Sequence, residues 1–447
     1  MSKVVDMTVG KPTKHIIKFA FPLLLTNLGQ QLYMMVDGAI VGRGVSVKAL
    51  ASVGTTDWCY WLILWAIIGL TQGFSTFISR YFGDKNFKKL NQAIAISIVL
   101  CLILGTILTV LGILLSRPVL SLLNTPEDVF DGANTYLITM ISGTLIVTAY
   151  NMSASILRAL GDGKTPLVAM AIAGVLNLLL DCLFVFCFKW GIFGAAIASV
   201  ISQAVSFIFC LTRLGKIDFI CLKKDAWKMD KTAVKEMLFL GLPISFQYAV
   251  ISFGGIILQS SVNLQGRIFI AGYTATNKVY GLLECSATSL GIATSTFVAQ
   301  NYGARLYDRV KKGVKVSLLL VTVTAIATFT FMMLARNLLC SLFINANEVG
   351  GNEALTIAVR YLTTMLCSIL ILYFLHVFRN TLQAMQISFW PMISGIAEFV
   401  CRVFMAKVAI NWAFLGADAL FVSEPVAWLG ALLSVMLPYF FYRKRLK

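Results

Sequence analysis

The sequence predicts an all-α polytopic membrane protein: twelve transmembrane helices in two six-helix lobes related by a pseudo-two-fold axis along the membrane normal. Three observations lead there. Of the 447 residues, 58% are hydrophobic and only 13% are charged, roughly half the charge fraction of a soluble domain. The apolar residues gather into runs long enough to cross the bilayer's hydrocarbon, which takes about 20 helical residues. Strand-length alternation of the barrel type is absent, and helices are the other structure that satisfies every backbone group in lipid.

The expected spans are 15–42, 52–79, 90–115, 132–157, 165–188, 191–212, 236–262, 273–299, 314–335, 355–384, 388–411 and 422–442. An even number puts both termini on one side. Lys and Arg crowd the N-terminus, the second-to-third loop (Arg80, Lys85, Lys88, Lys89), the middle connection, the eighth-to-ninth loop and the tail (Arg443, Lys444, Arg445, Lys447). The alternate loops hold few. By the positive-inside rule both ends are cytoplasmic, in the inner membrane. The net charge of +17 reads as a basic rim facing anionic lipid headgroups, with no nucleic-acid partner implied. Ten cysteines stand singly without a C-x-x-C pair, so neither a disulfide framework nor a zinc site is expected. The first apolar run is long, contains Pro22 and lacks a small-residue cleavage site, unlike a signal peptide.

Residues 213–235 form the longest polar stretch and divide the chain into an N-terminal lobe (1–212), a cytoplasmic linker (213–235) and a C-terminal lobe (236–447). The lobes echo each other. Phe19-Ala-Phe-Pro22 opens the first set of spans and Phe239-Leu-Gly-Leu-Pro243 the second. Ser79-Arg-Tyr-Phe-Gly83 matches Ala299-Gln-Asn-Tyr-Gly303, and Pro166 matches Pro391. Six spans per repeat return the chain to the same side, and transporters built this way hold substrate near the midplane between halves.

Asp181 lies four residues after Asn177 in an otherwise oily span, and Asp37 sits in the first span after Leu32-Tyr33-Met34-Met35-Val36. A carboxylate inside a span costs about 2.5–3.5 kcal/mol on insertion scales, so each implies function by default. Counting from Lys189 and Arg43 at 1.5 Å per residue puts Asp181 about 12 Å, Ser199 about 15 Å and Asp37 roughly 9 Å below the outer face. Asn177 and Asp181, at i and i+4, share a helix face. Two carboxylates, an amide oxygen and a hydroxyl suit a hard cation such as Na+; desolvation equally suits the acids to carry a proton. The plainer reading is that Asp37 is interfacial and Asp181 merely bonds a neighbouring helix.

At these residues the chain resembles multidrug and toxic compound extrusion (MATE) transporters, closest to the bacterial DinF-like branch. The resemblance is carried by Pro22-x7-Gln30-Gln31-x5-Asp37-Gly-Ala-Ile-Val-Gly42, Arg158-Ala-Leu-Gly-Asp-Gly-Lys-Thr-Pro166, Asn177-Leu-Leu-Leu-Asp181, Gly191-Ile-Phe-Gly through Ser199 to Gln203, and Gln300-Asn-Tyr-Gly-Ala304. It implies a proton- or cation-coupling site at Asp37, Asn177, Asp181 and Ser199, with Ser199 standing where the family has Thr. It also implies export of amphipathic, often cationic, organic compounds in exchange for H+ or Na+, by alternating access. No other cofactor is implied, and the protein is expected to act as a monomer.

In the second half, Glu284, His376, Glu398 and Arg402 are the ionisable groups at membrane depth. Glu398 and Arg402, at i and i+4, can neutralise each other. A lone histidine is more often a packing element than a switch. Gln30, Tyr33, Met34, Phe253, Glu284, His376 and Glu398 are the substrate-cavity candidates, since aromatic and sulfur side chains re-pack around varied flat ligands. A flippase for lipid-linked saccharides is the alternative within transport. An enzyme is not expected: no H-E-x-x-H, Gly-x-Ser-x-Gly or P-loop is present.

Overall fold

Every expected span is helical in the computed structural model, which describes residues 4–44, 47–122, 125, 127–344, 350–412 and 415–446, and leaves aside the side chains of 33–39, 41–44, 47–51, 54–55, 57–58 and 128. In chain order the helices are α1 (Pro12–Gly44), α2 (Val47–Gly83), α3 (Phe87–Leu122), α4 (Glu127–Ser142), α5 (Thr144–Ala159), α6 (Lys164–Asp181), α7 (Gly191–Leu214), α8 (Lys231–Asn263), α9 (Arg267–Gly303), α10 (Tyr307–Ser341), α11 (Gly351–Cys367), α12 (Ile369–Ala384), α13 (Phe389–Lys407) and α14 (Asp418–Arg445). Among the described residues, eight helices are long and apolar enough to cross a membrane, and two bent pairs bring the number to ten. With α1 and α13, which also coincide with apolar runs, the rods follow the twelve spans read from the sequence. The lipid-facing rods carry their apolar side chains outward: Leu114, Leu334 and Leu437 are all exposed, as hydrocarbon solvent permits.

Two spans read as single helices are each broken. α4 and α5 meet at Gly143 with a 44° bend, and α11 and α12 meet at Ser368 with a 49° bend. At Ser368 the hydroxyl donates to the Thr364 and Met365 carbonyls, 3.3 and 3.0 Å away, a back-bonding that bends helices. Gly143 is bare because a Cβ there would lie 2.5 Å from Val200 of α7. The last expected span but one also ends early, at Lys407, followed by a short 3₁₀ turn at Ala409–Asn411.

The internal repeat is visible in the turns. Lys85 after α2 and Arg305 after α9 both take left-handed backbone, at φ 55° and 59°. Each is followed by a residue whose N–H closes on the helix end, Asn86 on the Tyr81 carbonyl and Leu306 on the Asn301 carbonyl. Gly161 after α5 and Gln386 after α12 repeat the pattern, with Asp162 donating to Leu157 and Ile387 to Leu382, both at 2.9 Å. These are the six-to-one bonds of Schellman caps. Three of the four left-handed positions are occupied by residues other than glycine, at a cost of roughly 1–2 kcal/mol each, so the turn geometry itself is maintained in both halves.

The chain folds as two compact units. Unit 1 comprises the residues up to Asp6 and Phe21–Ser245; unit 2 comprises Met7–Ala20 and Phe246–Lys447. The opening turns of α1 therefore belong to unit 2 and those of α8 to unit 1, and Pro22 and Pro243 stand beside the two changeovers. Inside unit 1, α2 and α8 approach to backbone contact: a Cβ on Gly73 would sit 2.6 Å from the Gly241 Cα. The segment after α7 is docked rather than loose. Asn91 of α3 donates to the Phe219 carbonyl and accepts from the Cys221 N–H, both at 2.8 Å. Phe219 packs between Phe82 and Phe87, and Gln92 bonds the Lys228 carbonyl. Asn91→Leu should release this segment, raising tryptic cleavage at Lys223 and Lys224 about tenfold, equivalent to about 1.4 kcal/mol of lost docking; an unchanged digestion pattern would contradict the docking.

Candidate functional site

In unit 1, α6 and α7 pack antiparallel, and their facing sides carry the polar residues. Asp181 is fully buried, Asn177 is 1% exposed and Ser199 is 6% exposed. The Asn177 amide nitrogen donates to Ser199 Oγ at 3.2 Å, which ties the amide of α6 to the hydroxyl of α7. Asp181 lies one turn further along α6, at the point where the helix widens into a π turn over Cys182–Cys187. Such turns are rare and concentrate at functional sites. Phe184 within the π turn and Phe188 and Trp190 just beyond it pack ring to ring, 4.9–5.9 Å between centroids, an aromatic group of the kind that anchors helix ends at the membrane surface.

Asp37 is on α1, but its side chain, with those of Tyr33 and Met34, lies outside the described residues. Ile40, three residues further along α1, packs against a buried cluster that contains Val185, Ala195 and Ala196. Val185 is one turn beyond Asp181, and Ala195 is one turn before Ser199. Among the described residues, no three His, Cys, Asp or Glu side chains gather as a metal site. Any cation held here would meet mixed oxygen donors: carboxylate, amide and hydroxyl, the set suited to a hard ion.

Unit 2 treats its charges differently. Arg402 of α13 clamps Glu424 of α14 through two bonds, Nε to Oε1 at 3.0 Å and Nη2 to Oε2 at 2.8 Å. The same guanidinium lies 3.3 Å from Glu398 and donates to the Ile251 carbonyl of α8 at 3.1 Å. Arg379 of α12 donates to the other oxygen of Glu398 and to Ser394 Oγ. The result is a buried chain, Arg379–Glu398–Arg402–Glu424, of two cations and two anions across three helices. Forked guanidinium–carboxylate contacts of this kind are strong and directional. Glu284, on α9, is half-buried within electrostatic range of all four.

The remaining candidates are dispersed. Gln30 is half-buried and Phe253 is about half exposed. His376 is half-buried, and its backbone carbonyl accepts from Asn380 at 2.9 Å. Asn380 in turn lies against Gly291, where a Cβ would come within 2.8 Å of its amide, so α9 and α12 are closely apposed. Two members of the charge chain, Arg379 and Glu424, escaped the sequence reading. Both sit inside apolar runs, and Glu424 is only two residues into its span, where a charge reads as interfacial. The usable signal was the second Arg/Glu pair itself, since charges within spans face partners.

Removing one member of this chain leaves an uncompensated buried charge, which costs about 3–5 kcal/mol. Glu424→Gln should therefore lower the detergent-solubilised melting temperature by several degrees, whereas the paired Arg402→Met/Glu424→Leu should recover most of it. A paired variant as unstable as the single one would contradict the neutralising role.

The MatE family model matches residues 22–183 and 243–408, one match in each half. The probable multidrug resistance protein YoeA of Bacillus subtilis is 30% identical over 436 residues, covering 96% of this chain and 93% of its own. The multidrug export protein MepA of Staphylococcus saprophyticus is 22% identical over 434 residues, 95% of this chain and 93% of its own. Among solved structures, an outward-facing multidrug resistance MATE transporter of the MOP superfamily superposes with a TM-score of 0.91 at 22% identity, over 100% of this chain and 99% of that one.

Proposed function

The chain belongs to the MatE family, and from that premise we propose that it is a secondary antiporter. It exports amphipathic or cationic organic compounds across the cell membrane in exchange for H+ or Na+. The observation that carries this reading is the fully buried Asp181 on the α6 face that also carries Asn177, which bonds Ser199 of α7. A multi-pass membrane protein keeps such a carboxylate because the group changes charge state or binds an ion during the cycle.

The coupling rests on differential binding. An ion shifts a conformational equilibrium only by the difference in its affinity for the two states. Asp181 on α6 and Ser199 on α7 belong to different helices, so a small relative movement changes the number of oxygens around the ion. Asp37 of α1 completes the site in this reading. In this reading Gln30, Tyr33, Met34, Phe253, Glu284, His376 and Glu398 are the candidates for contact with the organic substrate, both termini are cytoplasmic and the working unit is the monomer. The names of the curated relatives, multidrug resistance and multidrug export, support the substrate class.

In membrane vesicles, a proton and a sodium gradient imposed separately should identify which ion drives accumulation of a fluorescent cation such as ethidium. Asp181→Asn and Asp37→Asn should each reduce that accumulation by at least about tenfold, the loss of about 1.4 kcal/mol or more in the driving step. Normal expression with undiminished uptake in either variant would overturn the assignment.

A further inference from the structure

Hydrogen bonds to α3 fix the depth of the polar connection that follows α7. α3 is an outer helix of unit 1: Leu102, Ile107 and Leu114 are exposed along it, and in a membrane protein such side chains meet lipid. Counting from Arg117 near its far end, hydrocarbon about 30 Å thick takes about 20 residues, so the near edge of the hydrocarbon falls at about residue 97. Gln92 lies about 7–8 Å past that edge, within the headgroup layer. The Gln92 amide donates to the Lys228 carbonyl at 3.0 Å, and the neighbouring Asn91 holds Phe219 and Cys221. The connection is thereby laid along the membrane surface.

What it presents there is both apolar and basic. A short 3₁₀ turn, Lys224–Trp227, leaves Trp227 43% exposed, and Met229 just beyond it is 41% exposed. The Trp227 indole N–H donates to the Leu222 carbonyl at 3.2 Å, so the exposed ring has no donor left for water. Such a ring is at home between headgroups and acyl chains, where tryptophan concentrates. The acids of the segment are committed internally. Asp225 lies 2.8 Å from Lys228 Nζ, and Asp230 Oδ1 accepts from the Thr232 N–H at the start of α8. Lys223, Lys224 and Lys231 are exposed around them. One turn after Lys231, Lys235 holds its ammonium 5.7 Å from the centre of the exposed Phe239 ring, the snorkelling posture of a helix entering lipid.

We propose that the turn Lys223–Lys231 is a lipid-binding foot of unit 1: Trp227 and Met229 enter the headgroup boundary, and Lys223, Lys224 and Lys231 hold the phosphates of anionic glycerophospholipids. Charge and depth together select this occupant. The foot is fixed at headgroup level beside a lipid-facing helix, where the anions at hand are lipid phosphates. Each lysine near an anionic membrane surface strengthens binding about fivefold. A zwitterionic headgroup carries its own cation and offers no net attraction, so the foot discriminates by headgroup charge. Lipid that binds the docked turn and not the released one favours docking by mass action. The anionic content of the leaflet therefore sets how firmly the start of α8 is held on unit 1. The foot requires only that α3 crosses the membrane, and stands apart from the ion at Asp181.

The test is quenching of tryptophan fluorescence by brominated lipid, diluted into plain phosphatidylcholine, in nanodiscs holding the full chain. The Trp227 part is the wild-type signal minus that of Trp227→Phe. Brominated phosphatidylglycerol should half-quench that part at a mole fraction at least about fivefold lower than brominated phosphatidylcholine does. In the triple variant Lys223→Gln/Lys224→Gln/Lys231→Gln the two midpoints should converge, with helical content and monodisperse elution unchanged. The corresponding triple arginine variant should keep the wild-type preference. No quenching by either lipid would put Trp227 outside the membrane boundary and overturn the foot. Equal midpoints in the wild type would overturn the anionic site, and an unchanged preference in the triple glutamine variant would overturn its assignment to these lysines.

Discussion

Holding ionisable groups away from water is the constraint that organises this molecule. In hydrocarbon no solvent is at hand to satisfy a stray charge, so each must be matched by protein, and the two units meet that demand differently. Unit 2 balances its charges: Arg379, Glu398, Arg402 and Glu424 alternate in sign along one hydrogen-bonded chain. Unit 1 buries Asp181 on the α6 face that also carries Asn177, whose amide donates to Ser199 of α7, next to a turn where the helix widens. A balanced chain resists change, because removing any member exposes another. On the proposed reading the Asp181 carboxyl alters its charge during the cycle, which would make unit 1 the responsive half.

Duplication explains how one chain came to hold both solutions. The left-handed turns at Lys85 and Arg305, and at Gly161 and Gln386, preserve the same hydrogen-bond closure on helix ends in the two halves. The breaks at Gly143 and Ser368 both fall 23 residues before a proline, Pro166 and Pro391. The physical causes of the breaks differ, close packing in one and hydroxyl back-bonding in the other, while the position is the same. Backbone geometry has been retained where it sets helix direction, and the polar side chains within the helices have diverged in chemistry.

Much of the fold was legible because hydrocarbon imposes length. Twelve apolar runs of spanning size leave little freedom in helix number or order, and the observed ends fall within several residues of the expected ones. The bends in the fourth and tenth spans were not legible, since neither contains a proline at the break. The buried polar face of α6 was legible because an Asn and an Asp four residues apart must share a face. Arg379 and Glu424 were not read as buried, because their burial depends on which helices become neighbours, and one sequence does not reveal that. The part of α1 that joins unit 2 was hidden for the same reason: Pro22 marks a place in the helix without saying what packs on either side.

The central claim is that the Asp181 carboxyl gains and loses a positive ion as the protein works. Infrared difference spectroscopy of protein labelled with ¹³C-carboxyl aspartate would follow that group as ethidium is added in proton-only buffer. A carboxylic-acid signal that is lost on substrate binding, and is missing from Asp181→Asn, is the result this account predicts. A signal that persists with substrate bound, or that is unaltered in Asp181→Asn, would contradict it.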